Sequence, residues 1–149
     1  MFKDELIKEF VDWKNANPQG FNWWNYVNIK ADLQTALAFA RFFYPDIIEI
    51  DGLFLLKDKF SQKNYESWRN ECKGDKKCIE KMMNLYQVDD FFHINTDDDG
   101  NIEEQVRVLG NILKTFWSMS FKDRFPDRCI KVMVFEDGGD YFITVFEGS

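Results

Sequence analysis

Histidine is almost missing from this chain: His93 is the only one in 149 residues. A histidine-based metal cluster is therefore excluded, and a catalytic triad would have one candidate base. Cysteine is scarce too. Cys72, Cys78 and Cys129 are odd in number and lack the close pairing of a zinc knuckle. They read as free buried thiols in a reducing compartment, although a Cys72–Cys78 bridge is conceivable across the Lys73-Gly74-Asp75 turn. No apolar run approaches the roughly 18 residues that span a bilayer. Met1-Phe2-Lys3-Asp4-Glu5 is too acidic and too broken for a signal peptide, so a cytoplasmic location is expected. Phosphate-cradling glycine loops, HExxH and GxSxG do not occur.

Basic charge is also short. Nineteen Lys and Arg face 26 Asp and Glu, for a net charge of −7. Binding nucleic acid through its phosphates needs a clustered basic face. The only basic stretch, Lys73 to Lys81, is interrupted by Asp75 and Glu80, so direct nucleic-acid binding is not expected. Residues 89–106 carry seven acidic groups and no basic one, equal to the whole net charge.

What is abundant is aromatic: 17% of residues, within 45% hydrophobic and 30% charged. That composition describes a globular chain, and its length fits one domain, residues 1–149. Phe2, Leu6, Phe10 and Trp13 recur at helical spacing over residues 2–16, ending at Asn17-Pro18-Gln19-Gly20. Phe21-Asn22-Trp23-Trp24-Asn25-Tyr26 reads as an aromatic connection. A helix over 29–44 is apolar nearly all round, which predicts a central, buried element ended by Pro45. Asp51-Gly52 predicts a hairpin with Ile50 opposite Leu53 and Ile48 opposite Leu55. Ser61 and Asp75 cap two further helices, the second carrying Ile79, Met82, Met83 and Tyr86. A long helix follows from about Ile102 to Arg124, with Ile102, Val106, Leu109, Leu113, Phe116 and Trp117 on its buried stripe. Gly138-Gly139 turns a second hairpin with Val134 opposite Ile143 and Val132 opposite Val145. The other face of that hairpin, with Met133, Phe135, Phe142 and Phe146, needs cover from a helix of this chain or from a partner, including a second copy. With no βαβ alternation, the fold class is α+β: antiparallel sheet from two β-hairpins packed against four or five helices.

Few residues suggest chemistry. His93 lies in the apolar run Phe91-Phe92-His93-Ile94 and reads as a structural residue. Glu49 and Asp51 read as a solvent-facing strand residue and a turn former rather than as a carboxylate pair for acid–base work. Asn95-Thr96-Asp97-Asp98-Asp99-Gly100-Asn101-Ile102-Glu103 resembles the first nine positions of an EF-hand calcium loop. It departs at position twelve, where Val106 replaces the bidentate Glu, and at position one, which is Asn95. The segment reads as a solvated acidic turn ahead of a helix N-terminus, where carboxylates are favoured. Neither metal nor cofactor is expected, and no enzyme activity. Trp23 and Trp24 either seal the end of a core or anchor a partner, since Trp dominates interface hot spots.

In overall character, including Tyr44-Pro45-Asp46-Ile47-Ile48-Glu49-Ile50-Asp51-Gly52 and Phe125-Pro126-Asp127-Arg128, the chain resembles bacterial immunity proteins that neutralise a cognate toxin. The resemblance implies a small acidic cytoplasmic protein that occludes a toxin's active site or substrate groove without turnover. The expected partner is a protein, a basic toxin domain, with no membrane and no nucleic acid; a homodimer is the other association considered. The expected contact is Asp97, Asp98, Asp99, Glu103 and Glu104, with Trp23 and Trp24 as anchors. A carboxylate-based enzyme, with a divalent ion near Asp97 and Asp99, and a self-associating structural protein are the alternatives.

Overall fold

Turn chemistry places both hairpins. In the computed structural model, which describes residues 1–149, β1 (Ile47–Ile50) pairs with β2 (Leu53–Leu56) in the expected register. Asp51 and Gly52 take φ of 52° and 76°, the double left-handed step that a type I′ turn requires. Gly138 and Gly139 do the same for the second hairpin, β4 (Ile130–Asp137) and β5 (Asp140–Glu147), again in the expected register. The architecture is α+β, with six α-helices and two small antiparallel sheets. No helix is long and apolar enough to cross a membrane.

Each hairpin forms its own sheet. The second gains a strand that local pattern did not show, β3 (Tyr86–Gln87), which pairs with β5 to give the order β3-β5-β4. Tyr86 therefore leaves the helix on which it was expected. That helix, α5 (Lys76–Met83), ends with Asn84 as its C-cap, and the Asn84 side chain reaches both sheets. Its Oδ1 accepts from Leu56 N (2.8 Å), and its Nδ2 donates to Phe54 O (2.8 Å) and Val145 O (2.9 Å). One turn earlier, Glu80 accepts from Phe54 N (2.9 Å) and Glu147 N (2.7 Å). Both side chains are wholly buried. They satisfy backbone groups on the facing edges of β2 and β5, so two side chains of one helix do the work of a strand between the sheets.

The main core lies under α6 (Ile102–Arg124), where Leu113, Trp117 and Phe121 pack with Phe54, Leu56, Val88 and the inward face of β4 and β5. Gly110 continues this stripe because a Cβ there would come within 3.4 Å of Val134. Ile102 and Phe116, expected on the stripe, stay partly exposed at its margins. A second cluster joins Leu53, Leu55, Tyr65, Ile79 and Met83 between β2, α4 (Gln62–Glu71) and α5. Ser61 and Asp75 cap α4 and α5 as expected. Helix α5 also covers part of the spare hairpin face: Thr144 donates to Lys81 O, and the ammonium groups of Lys77 and Lys81 lie 5.2 and 4.5 Å from the Phe146 ring. Phe135 and Phe142 stack on each other at the remainder of that face.

Three expectations are corrected. Cys72 and Cys78 are not free thiols: they form a disulfide across the turn at Lys73 and Gly74, whose φ of 53° and 76° bring the Cα atoms to 5.7 Å. Cys129 is free but exposed rather than buried. Residues 21–44 are two helices, α2 (Trp23–Lys30) and α3 (Leu33–Phe43), not a connection followed by one helix. Asn22 and Asn25 form a reciprocal capping box that starts α2 inside the aromatic run, and Asp32 caps α3 through Thr35 N, forcing a break after Ala31. Finally, α3 is peripheral. None of its residues is buried, and Leu33 and Leu37 are 80% and 66% exposed. Only its Phe42 and Phe43 side reaches the core.

Candidate functional site: an acidic groove beside an apolar face

The N-terminal layer is organised around one ring. Phe10, on α1 (Lys8–Ala16), is the layer's only fully buried residue; Trp23 stacks on it at 3.6 Å and 7°, and Tyr26 meets it edge-on at 5.7 Å. Trp23 Nε1 donates to Asp4 Oδ1 at 3.3 Å, so both its ring and its polar tip are engaged within the chain. Tyr26 OH donates to Glu9 Oε1 at 2.9 Å, and Lys30 pairs with the same carboxylate oxygen at 2.9 Å. Burial first, then this carboxylate, pushes the Tyr26 phenol up to about 12. The hydrogen bond from Lys30 holds Glu9 below the usual carboxylate range.

Between this layer and the acidic segment runs an open groove of about 680 Å³. Glu9 and Asp12 line it from α1, and Asp97 and Asp99 from the segment before α6; Trp13 and Tyr26 add aromatic surface. Lys8 and Lys30 also border it, but Lys30 is already matched by Glu9. Gln105 fixes the two walls together, donating from Nε2 to both Leu6 O (3.0 Å) and Asp99 Oδ2 (3.2 Å).

The five acidic residues expected at one contact are divided by the fold. Asp97 and Asp99 face the groove. Asp98 accepts from Gly100 N and Asp99 from Asn101 N, both at 2.9 Å, so their carboxylates also order the turn into α6. Glu103 and Glu104 pair with Arg107 on α6, and Glu104 borders a different hollow beside Met1 and Phe2. Nowhere do three or more His, Cys, Asp or Glu side chains converge as a metal site would need.

Trp24 points the other way from Trp23 and is 78% exposed. With Val27, Leu33, Ala36 and Phe39 it lines a second, apolar groove of about 510 Å³ between α2 and α3. Tyr26 and Lys30 border both grooves, so the acidic and apolar surfaces are continuous. Sequence reasoning placed the apolar residues of α3 in the core. The signal for the other reading was present in Leu33-Gln34-Thr35-Ala36-Leu37-Ala38-Phe39-Ala40, a helix surface without charge on either side.

The remaining chemical candidates each have a partner within the chain. His93 is exposed, with Nδ1 2.6 Å from Asp90 O, which puts the proton on that nitrogen. Glu49 pairs with Arg128, and Asp51 accepts from Tyr65 OH. Arg128 also forks onto both oxygens of Glu147 (3.1 and 2.8 Å), which Lys76 meets at 2.8 Å. The Arg128 and Lys76 hydrogen bonds hold the Glu147 carboxyl at about 2. Comparison with family models, curated proteins and solved structures finds no match to this chain.

Proposed function

We propose that this chain is a small acidic protein-binding module of the immunity type, which occludes a basic protein domain without turning over a substrate. The observation that carries the reading is the groove in which four carboxylates, Glu9, Asp12, Asp97 and Asp99, outnumber the two ammonium groups of Lys8 and Lys30, beside Trp13 and Tyr26. Such a surface attracts cationic side chains at long range and supplies aromatic contact area once they arrive. The adjoining apolar groove adds Trp24 as an anchor whose burial would contribute affinity that salt does not screen. Asp98, Glu103 and Glu104 are then steering charges at the margin, and Trp23 supports the layer from within. A cytoplasmic setting belongs to the same proposal. The Cys72–Cys78 disulfide tests that setting, because a reducing compartment opens such bonds: alkylation of the protein in its own cells is expected to count three thiols, and a count of one, Cys129 alone, would place the chain in an oxidising compartment instead.

The test is capture of partners by the tagged chain at low and high salt, with Asp97→Asn/Asp99→Asn and Trp24→Ala variants. A stoichiometric basic protein, weakened at least tenfold by the double variant at low salt, is the expected result. A partner insensitive to these three positions would sink the groove reading. Recovery of the chain only with itself, unchanged by salt, would instead favour self-association through the exposed α2–α3 face.

A further inference from the structure

A second, smaller pocket lies between α3, β2 and the segment from Tyr86 to Phe91, away from the acidic groove. Four aromatic side chains, Phe42, Tyr86, Phe91 and Trp117, form its walls, and Asp46 and Asp58 stand at its rim. The walls hold one another. Phe91 meets Phe42 edge-on at 5.0 Å and Tyr86 at 5.1 Å, and Trp117 Nε1 donates to Phe42 O at 2.9 Å. Binding there would order little that is not already ordered. The pocket has a volume of about 70 Å³. One water needs roughly 10–15 Å³ on that measure, so the space suits a compact head of about five heavy atoms.

The chemistry of the lining selects the kind of head. Arg41 matches Asp46 at 2.6 Å, whereas Asp58 makes no salt bridge, so the side chains that line the pocket carry one negative charge in excess. Anions are disfavoured by that charge. Hydrated metal ions want a shell of oxygens that aromatic walls lack. A soft organic cation is suited by both features, since ring faces attract it and a nearby carboxylate neutralises it. One cation of the chain already uses this surface: Lys59 Nζ lies 4.6 Å from the Tyr86 centroid, although Lys59 does not line the pocket. Tyr86 also feels its surroundings, its phenol pushed up by burial and then by the charge of Asp58.

We propose that this pocket binds a methylated ammonium head group, enclosed by Phe42, Tyr86, Phe91 and Trp117 and neutralised by Asp58. The head is carried either by a free small molecule or by a methylated lysine side chain; the chemistry at the pocket is the same. This assignment is independent of the acidic groove, and its failure leaves that reading untouched.

Calorimetric titration of the full chain tests it with three probes. Choline is compared with 3,3-dimethylbutan-1-ol, which has the same shape with carbon in place of the charged nitrogen, and with a short peptide carrying trimethyllysine. Choline, the peptide or both are expected to saturate one site, at least tenfold more tightly than the uncharged isostere. Tighter binding of the peptide assigns the source to a protein side chain, and tighter binding of choline assigns it to a small molecule. Asp58→Asn changes an exposed residue outside the core, and is expected to weaken the cation about threefold to tenfold while leaving the isostere unchanged. No saturable binding of either cation, or equal affinity for choline and its isostere, overturns the proposal. An Asp58→Asn variant with unaltered cation affinity overturns the role given to that carboxylate.

Discussion

Residues 1–52 hold eleven of the 26 aromatic side chains, yet of the 23 buried residues only Phe10 precedes Leu53. The segment from Leu53 onward buries the other 22, between two small sheets, α5 and α6. In the first region rings pair on the surface of the molecule around Phe10; in the second they fill a closed interior. Apolar content is thus a poor guide to which part of a chain carries its stability. What separates the regions is closure. Strand β5 is covered on both faces, by α6 and by α5, whereas α3 reaches the core only along its Phe42 and Phe43 edge. The apolar side chains left exposed on α2 and α3 are the surface that the proposed protein contact would use.

The comparison is broken most severely at the joint between the two sheets. Glu80→Gln keeps the shape of the side chain but replaces one acceptor oxygen with a donor. Either the buried Phe54 N or the part-buried Glu147 N then faces an N–H instead of an oxygen. Leaving such a buried group unsatisfied costs about 2–3 kcal/mol. A loss of about 5–10 °C in Tm is expected for a chain of this length. Urea denaturation at constant m-value checks it; a change below about 0.5 kcal/mol would mean that the sheets are held by packing alone.

The joint also marks where sequence reasoning ended. Asp51-Gly52, Gly138-Gly139, Ser61 and Asp75 were legible because turns and caps are local, decided by residues within four positions. The acidic turn at Asp97–Asp99 was legible for the same reason. Its groove was not, because Glu9 and Asp12 reach it from about 85 residues away. Strand β3 is two residues long, too short for any alternation to register. The face of α3 was misplaced for a more general reason: periodicity shows that a helix face is apolar, not whether anything covers it. Tyr26 and Lys30, which join the two grooves, carried no local signal.

A smaller effect is expected where the second region is tied by charge. Glu147 has its carboxyl held at about 2, against an ordinary value of 4.5, by Arg128 and then Lys76. A folded-state value below the unfolded one contributes stability that is fully present above about pH 4.5 and is lost as pH falls towards 2. The loss over that window is on the order of 2 kcal/mol. Tm measured from pH 7 to pH 3 should fall less steeply in Glu147→Gln, which lacks the titrating group, than in the native chain. Parallel curves would show that the cluster is solvated in solution and contributes little.

The smallest effect is expected on α3. Leu37 is 66% exposed, so Leu37→Glu removes little buried surface, and both residues are good helix formers. The change in stability should stay within about 0.5 kcal/mol in urea denaturation, as for most surface positions. A hydrophobic side chain that is costly in solubility and nearly free to replace is not there for the fold. A loss of 2 kcal/mol or more would reverse the comparison, because it would mean that the α2–α3 face is covered in solution, by another segment or a second copy, and that the N-terminal layer contributes to the core after all.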